Sequence, residues 1–330
     1  MSTIRDVARA AGVSVATVSR ALTSPEKVSA TSRALVEAAV LNTGYRPNLL
    51  ARNFRSARSY SVVVLLPDIT NPFFSEVIQA IEDRAQDRGY AVLLGDTRES
   101  LVREQDYVNR VETRLADGVI QLRPQSKSSG EHNIPWVNAC GGDHTPGPSI
   151  RIDNAGAAAK AVEYIIGLGH TRIAVFTGKP DNPHTQERLQ GFRATMAAHG
   201  LTVNEQWVMQ GDFTVVSGQR LAQSLCEQVE RPTAVFCLSD RMAIGAIQVL
   251  RSHGLAVPRD MTVVGFDDIK MARYLDPGLT TLAQPSDLLG QLAFDTLLRV
   301  LAGEDLRDYE HIVPTEMVVR GSSAPPATAH

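Results

Sequence analysis

Cysteine is scarce in this chain, with Cys140, Cys226 and Cys237 the three in 330 residues. They are odd in number, widely spaced and set in or beside apolar runs. That argues against a disulfide framework or a zinc cage and for small buried residues in a reducing compartment. Long hydrophobic runs are also missing: no stretch approaches membrane-spanning length, and the N-terminus enters a charged amphipathic pattern instead of an apolar signal region. Cytoplasm is the expected compartment. Catalytic groupings are equally thin. No G-x-G-x-x-G follows the first strand pattern, where LLPDITNPFF stands, and Gly167-Leu168-Gly169 reads as a helix end. No nucleophile elbow, paired carboxylates or metal-spaced His/Cys stand out, and the eight histidines are scattered and read as mostly superficial. A dehydrogenase or a nucleoside hydrolase is disfavoured, and neither cofactor nor metal is expected.

Charge, by contrast, is sharply segregated. Residues 1–60 hold nine Lys or Arg against three acids, a net of +6, while the whole chain is −3, so the remainder carries −9. A basic head on an acidic body is the electrostatic footprint of a nucleic-acid reader with a separate regulatory part. The head contains TIRDVARAAGVSVATVSRAL from Thr3 to Leu22, two short helical patterns with a break at Gly12-Val13. This is the pattern of a helix-turn-helix: Ala8 permits a close crossing, Gly12 can turn left-handed, and Val18 plugs the space between the helices. Ser14 can cap the second helix, whose outward positions are then Val15, Ala16, Ser19 and Arg20.

A third helix is expected over Ala30 to Thr43, capped by Ser29 and stopped at Gly44, with Leu35, Val36, Ala39 and Val40 as its apolar stripe. Tyr45-Arg46-Pro47-Asn48 marks a boundary. Pro47 suits the first turn of a short helix over Asn48 to Phe54, which has almost no core of its own and needs DNA or a second subunit to order it. These features divide the head into a DNA-binding domain, 1–45, and a hinge helix and linker, 46–59.

From Tyr60 onward short apolar runs alternate with amphipathic stretches, from Ser61–Leu66 to Thr262–Phe266. Such alternation means parallel sheets with helices on both faces, and nine strands fit two doubly wound lobes better than one sheet. The core, 60–330, then splits into a first lobe of about 60–153 plus 286–309 and a second of about 154–285 plus 310–320. The tail from Gly321, GSSAPPATAH, is small and prolyl, and disorder is expected there. It carries no apolar heptads from which a tetramer could be built.

Residues 1–58, with IRDVARAAGVSVATVSRALTSPEKVSATSRALVEAAVLNTGYRPNLLAR, resemble the lactose-repressor family. The body resembles the family's periplasmic-binding-protein-like core of type I through VVVLLPDITNPFFSEVIQAIE at 62–82, RLQGFRATM at 188–196, GDFT at 211–214, RPTAVFCLSDRMAIGAI at 231–247, VPRDMTVVGFDD at 257–268 and LTTLAQP at 279–285. Within the family the resemblance is nearest to nucleoside- and purine-responsive members. It implies an all-α helix-turn-helix headpiece on a two-lobed α/β core, a homodimer on a pseudo-palindromic operator in double-stranded DNA, and a small-molecule effector between the lobes. By position, Val15, Ala16 and Arg20 become the base readers, with Arg20 suited to a bidentate bond to guanine, and Ser14, Thr17 and Ser19 face phosphates. The resemblance also implies DNA contacts from the hinge, by Asn48, Ala51 and Arg52. Phe54 stands where the family usually has a minor-groove leucine wedge; it can wedge too, or pack on the core when DNA is absent.

For the effector, Phe73 and Phe74 follow the first strand in a loop containing Pro72, at the carboxyl edge where such ligands sit. Phe213 comes from the other lobe by the family match, and aromatic faces can grip a base or a sugar. Arg188 and Asp267 match family positions that hydrogen-bond a sugar or base; a salt bridge across the hinge is the plainer alternative. Ser239 and Asp240 lie at a strand end, Ser239 facing ligand or Asp240 serving as a cap, and Asp153 is a further candidate. Asn182 stands where purine-responsive members have an arginine, which disfavours a guanine- or hypoxanthine-like ligand. Pro183 and His184 resemble the nucleoside-responsive branch. A nucleoside is the expected effector, with ribose or another pentose second, and induction the expected sense. A periplasmic-type solute receptor is the remote alternative, but it needs a signal peptide and no basic head.

Overall fold

The Asp6 carboxylate accepts from the Thr3 backbone N–H and hydroxyl at 2.9 and 2.7 Å, a local cap that starts helix α1, Ile4–Ala11. These bonds hold the Asp6 carboxyl below the usual carboxylate range. Gly12 ends the helix at φ 65°, in the left-handed region the turn requires. Ser14 then caps α2, Val15–Thr23, accepting from the Thr17 N–H at 3.1 Å. After a 3₁₀ turn at Pro25–Lys27, Ser29 caps α3, Ala30–Thr43, which stops at Gly44. Val7, Ala8, Ala11, Val18, Ala21, Val36 and Ala39 form the buried centre of these three helices. Leu35 is a correction: it is 49% exposed, because Val36 and Ala39 take the inward face and the adjacent residue points about 100° away.

In this computed structural model the described residues are 2–45, 58–113, 115–122, 134–141 and 147–327. The hinge residues Asn48, Ala51, Arg52 and Phe54 lie outside them. The chain divides into two units, 1–59 and 60–330, each with its own core.

The second unit holds two sheets. In the first lobe β1 (Ser61–Leu66), β2 (Ala91–Asp96), β3 (Gly118–Leu122), β4 (Trp136–Ala139) and β5 (Ser149–Ile152) run parallel in the order β2-β1-β3-β4-β5. Helix α4 (Pro72–Asp87) packs with a later helix on one face, and α5 (Leu101–Glu112) covers the other. Alternate residues of β1 therefore go to different cores, Val62, Val64 and Leu66 to one, Val63 and Leu65 to the other. That is why the strand reads as an unbroken apolar run.

The second lobe is built in the same way. Its strands β6 (Ile173–Thr177), β7 (Val208–Gln210), β8 (Ala234–Cys237), β9 (Thr262–Asp267) and β10 (Thr280–Ala283) are parallel in the order β7-β6-β8-β9-β10. Its helices are α6 (Asn154–Gly167), α7 (Pro183–Ala198), α8 (Val215–Cys226) and α9 (Asp240–Ser252). Helix α10 (Ser286–Leu301) returns to pack on α4 in the first lobe, followed by β11 (Glu310–Val313) and β12 (Glu316–Val318).

Two boundaries differ from the sequence reading. Residues 310–313 belong to the first lobe, since β11 pairs in parallel with β5 and Glu310 meets Arg151 at 2.7 Å; the third crossing therefore falls between Val313 and Glu316, where β12 joins β10 antiparallel. The expected disorder of the tail is not what residues 321–324 show, since they bond to β9 and β10; residues 328–330 lie outside the described residues. Ser322 is fully buried, donating to the Val263 carbonyl at 2.6 Å and accepting from the Thr280 N–H at 2.8 Å, and Ala324 bonds Thr262 and His170. Small polar residues hold on here by hydrogen bonds, which leave no apolar periodicity to read. His170 and His184 are likewise buried rather than superficial. Among the described residues no helix is long and apolar enough to cross a membrane.

Candidate operator-reading helix and effector cleft

Helix α2 turns Val18 and Ala21 inward, and the opposite face follows from helical spacing. Ser14, Val15, Ala16 and Arg20 are exposed, with Thr17 and Ser19 half-buried beside them. The Ser14 and Thr17 hydroxyls lie 2.9 Å apart, so the cap also steadies the first turn, whose amides point outward. One long cation beside two small apolar side chains suits a guanine edge next to a thymine methyl. This face is acid-poor, with α2 carrying no Asp or Glu.

The second site forms where the lobes meet. Asn71, Phe73, Phe74 and Cys140 line a small cavity, of about 50 Å³, from the first lobe. From the second lobe come His184, Arg188, Phe213, Ser239 and Asp267, with Gln284 entering at the second crossing. Seven of the expected residues are thus together. Two are not: Asp153 is exposed and caps α6 through the Gly156 N–H at 2.9 Å, and Asn182 caps α7 through the His184 N–H at 3.0 Å. Both are taken by helix N-termini, Asp153 at the first lobe crossing and Asn182 after β6 within the second lobe.

Phe73 and Phe74 lie in the first turn of α4, not in a loop, with Pro72 at its first position and Asn71 as cap. Their rings meet edge to face at 5.3 Å. The Arg188 guanidinium stacks 3.7 Å over the Phe266 ring, and its Nε and Nη1 donate to Asn154 Oδ1 and the Leu238 carbonyl at 2.9 and 2.8 Å. Asp267 lies 3.8 Å from Arg188 and accepts from Gln284 Nε2 at 2.7 Å. Both charged groups belong to the second lobe, so this pair does not bridge the hinge. Burial pushes the Asp267 carboxyl up to about 6 against the opposing pull of Arg188.

Ser239 lines the cavity and also caps α9, whereas Asp240 turns away into the lobe and accepts from Thr281 Oγ1 and the Ile269 N–H at 2.6 and 2.9 Å. Burial first, and neighbouring Asp267 second, push the Asp240 carboxyl well above the usual range. Cys140, Phe213 and Asp267 all adopt positive φ, of 55°, 66° and 121°. Strain of this kind collects where a site over-determines its backbone.

The sequence reading missed Asn71, Cys140 and Gln284. Asn71 carried a signal, a cap before Pro72; Cys140 and Gln284 are brought in only by the ends of β4 and β10. Burial pushes the Cys140 thiol up to about 12, so it is an apolar lining group at neutral pH. The three cysteines are free, and among the described residues no cluster of side chains suits a metal ion.

A helix-turn-helix with a cationic reading face and a separate two-lobed core closing on a polar and aromatic cavity define a DNA-binding regulator controlled by a small molecule. The chain belongs to the lactose-repressor family: residues 3–48 match the model for bacterial regulatory proteins of the lacI family, and 162–323 that for the periplasmic binding protein-like domain. It is 37% identical over 329 residues to the HTH-type transcriptional repressor CytR of Escherichia coli K12, covering 98% of this chain and 96% of that one. It is 36% identical over 318 residues to the repressor PurR of Vibrio cholerae, covering 94% and 93%. Among solved structures, the lac repressor dimer bound to operator and the anti-inducer ONPF aligns with a TM-score of 0.88 at 28% identity, over 98% of this chain and 99% of that one. The regulator CelR in complex with cellobiose aligns at 0.74 with 30% identity, over 98% and 100%. These relatives are transcriptional regulators, not enzymes.

Proposed function

We propose that the chain is a dimeric repressor that binds a pseudo-palindromic operator through α2 and is released when a nucleoside fills the interlobe cavity. The observation that carries the effector half is the pairing of the Phe73, Phe74 and Phe213 aromatics with the Asp267–Gln284–Arg188 polar group in one cavity. Aromatic edges and faces suit a flat base, and a carboxylate beside an amide suits vicinal hydroxyls. Position-by-position similarity to the family supports Arg20, Val15 and Ala16 as base readers and Ser14, Thr17 and Ser19 as phosphate contacts.

Linkage sets how the effector acts. A ligand that draws the lobes together shifts operator affinity only by its differential affinity for the two lobe arrangements. Asp68–Arg241 at 2.9 Å and Glu99–Lys179 at 2.6 Å already join the lobes beside the cavity. The test is calorimetry with cytidine, uridine, adenosine, inosine, ribose, hypoxanthine and the hexose glucose, paired with operator binding at each saturating ligand. Heat with a nucleoside and weaker operator binding are expected. Binding to a hexose alone would discard the nucleoside reading. Ribose is the second reading, favoured by the same Asp267–Gln284 pair, which recognises hydroxyls without a base.

A further inference from the structure

We infer that Asn154 fixes His184 as a neutral imidazole protonated at Nε2, so that the histidine offers the effector cavity a hydrogen-bond donor and selects ligands presenting a lone pair there. The last clause rests on the effector reading of the cleft; the tautomer does not.

Asn154 is the first residue of α6, directly after the first lobe crossing. On α7, His184, Glu187 and Arg188 fall at helical spacing on one face and meet it. The close approach of these helices depends on Gly191, where a Cβ would lie 2.2 Å from the Ala155 carbonyl oxygen. Asn154 is 2% exposed and His184 8%, so the polar atoms here must be paired with compatible partners.

The pairing admits one arrangement. Arg188 Nε can only donate, so the Asn154 atom 2.9 Å from it is the oxygen. Glu187 Oε2, an ionised carboxylate oxygen, can only accept, so the atom 2.9 Å from it is the amide nitrogen. Flipping the amide would set its NH₂ against a guanidinium and its oxygen against a carboxylate. The nitrogen's other hydrogen then points at His184 Nδ1, 3.1 Å away, which has to accept. An imidazolium, with N–H on both nitrogens, cannot do so. The first turn of α7, at the positive end of the helix dipole, also favours the uncharged ring. With Nδ1 accepting, the proton is on Nε2, and the ring lines the cavity. Arg188, held by the Leu238 carbonyl and the Phe266 ring, anchors the chain of bonds. Asn154 is thus a positioning residue acting through His184.

The tautomer is read on the ligand-free, full-length protein, ¹⁵N-labelled at histidine, from long-range ¹H–¹⁵N spectra at neutral pH, with His184→Gln identifying the signal. An unprotonated Nδ1 and a protonated Nε2 are expected; a proton on Nδ1 overturns the inference. Asn154→Asp places a carboxylate acceptor at Nδ1 and is expected to move the proton there. Calorimetry with cytidine tests the donor: His184→Leu should bind about tenfold more weakly, and His184→Gln, which keeps a donor, within about threefold of wild type. Equal losses in the two variants, or none in His184→Leu, overturn the donor role, with unchanged operator binding as the check on folding. No heat from wild type with cytidine, uridine, adenosine or ribose overturns the reading of the cleft and the ligand half of the inference, while the spectra decide the tautomer on their own.

Discussion

The outward face of α2, proposed to read the operator, is gathered within seven consecutive residues, Ser14 to Arg20, on three helices whose buried centre is seven small side chains. The cavity between the lobes draws on seven separate segments between Asn71 and Gln284, set at strand ends and helix starts of a far larger core. The first surface is continuous in sequence and thinly supported; the second is discontinuous and heavily supported. A contiguous site inherits its geometry from one helix, so it fails as a unit when that helix loses its backing. A dispersed site is held by many elements, so single changes subtract one contact at a time.

The largest effect should come from the backing of α2. Val18 is fully buried, and Val18→Asp places an unpaired carboxylate in a core too small to absorb it. Operator binding should be abolished while effector heat is retained by the full chain. Loss of both would break the contrast between the two units. Next, Arg20→Ala should cost roughly 1–3 kcal/mol at one guanine position, read by binding to an operator series with each base pair changed. Equal weakening on specific and random DNA would refute base reading and leave Arg20 a phosphate contact.

A comparable but pH-dependent effect is expected in the cleft. Asp267 accepts hydroxyl hydrogens best as a carboxylate, and its carboxyl is raised to about 6, so effector affinity should increase as pH rises from 5 to 7. Stability runs the other way. A carboxyl raised on folding binds its proton more tightly folded than unfolded, so this residue's contribution declines as pH climbs from about 4 to about 6. Calorimetry and thermal melts across that range should show opposite slopes, and Asp267→Asn should flatten both. The smallest effect is expected at the lobe rim. Asp68→Ala removes the partner of Arg241 and should change effector affinity by less than about 1 kcal/mol, as partly exposed ion pairs do.

Legibility followed the same division. Gly12, Ser14, Val18 and Gly44 announced the headpiece through turn, cap and plug, because each acts on its nearest neighbours in the chain. Strands β1, β3 to β6, β8 and β9 were readable because sheets covered on both faces leave apolar runs, and the edge strands β2 and β7, though half-exposed, continue the alternation of strand and helix patterns. The short edge strand β12 is half-exposed and alternates too briefly to register. Asn182 and Asp153 looked like ligand contacts from their loops, yet helix ends claimed them, and their side chains reach the nearest unpaired amide first. Asn154, Cys140 and Gln284 carried no local mark, since a buried amide or thiol reads like any other until its partners are known. The tail after Gly321 misled for a related reason: composition reports burial of carbon, and Ser322 is held by backbone bonds.

What the amino-acid order alone determined was the family, the charge split between head and body, the helix caps and the alternation that makes two doubly wound lobes. Each depends on interactions within a few residues, where spacing is geometry. Only the tertiary structure decided which side chains enter the cavity, where the third crossing falls, and that an amide at a lobe boundary, flanked by one obligate donor and one obligate acceptor, fixes the proton on a histidine thirty residues away. Those outcomes depend on distances between groups far apart in the chain, which no local pattern encodes.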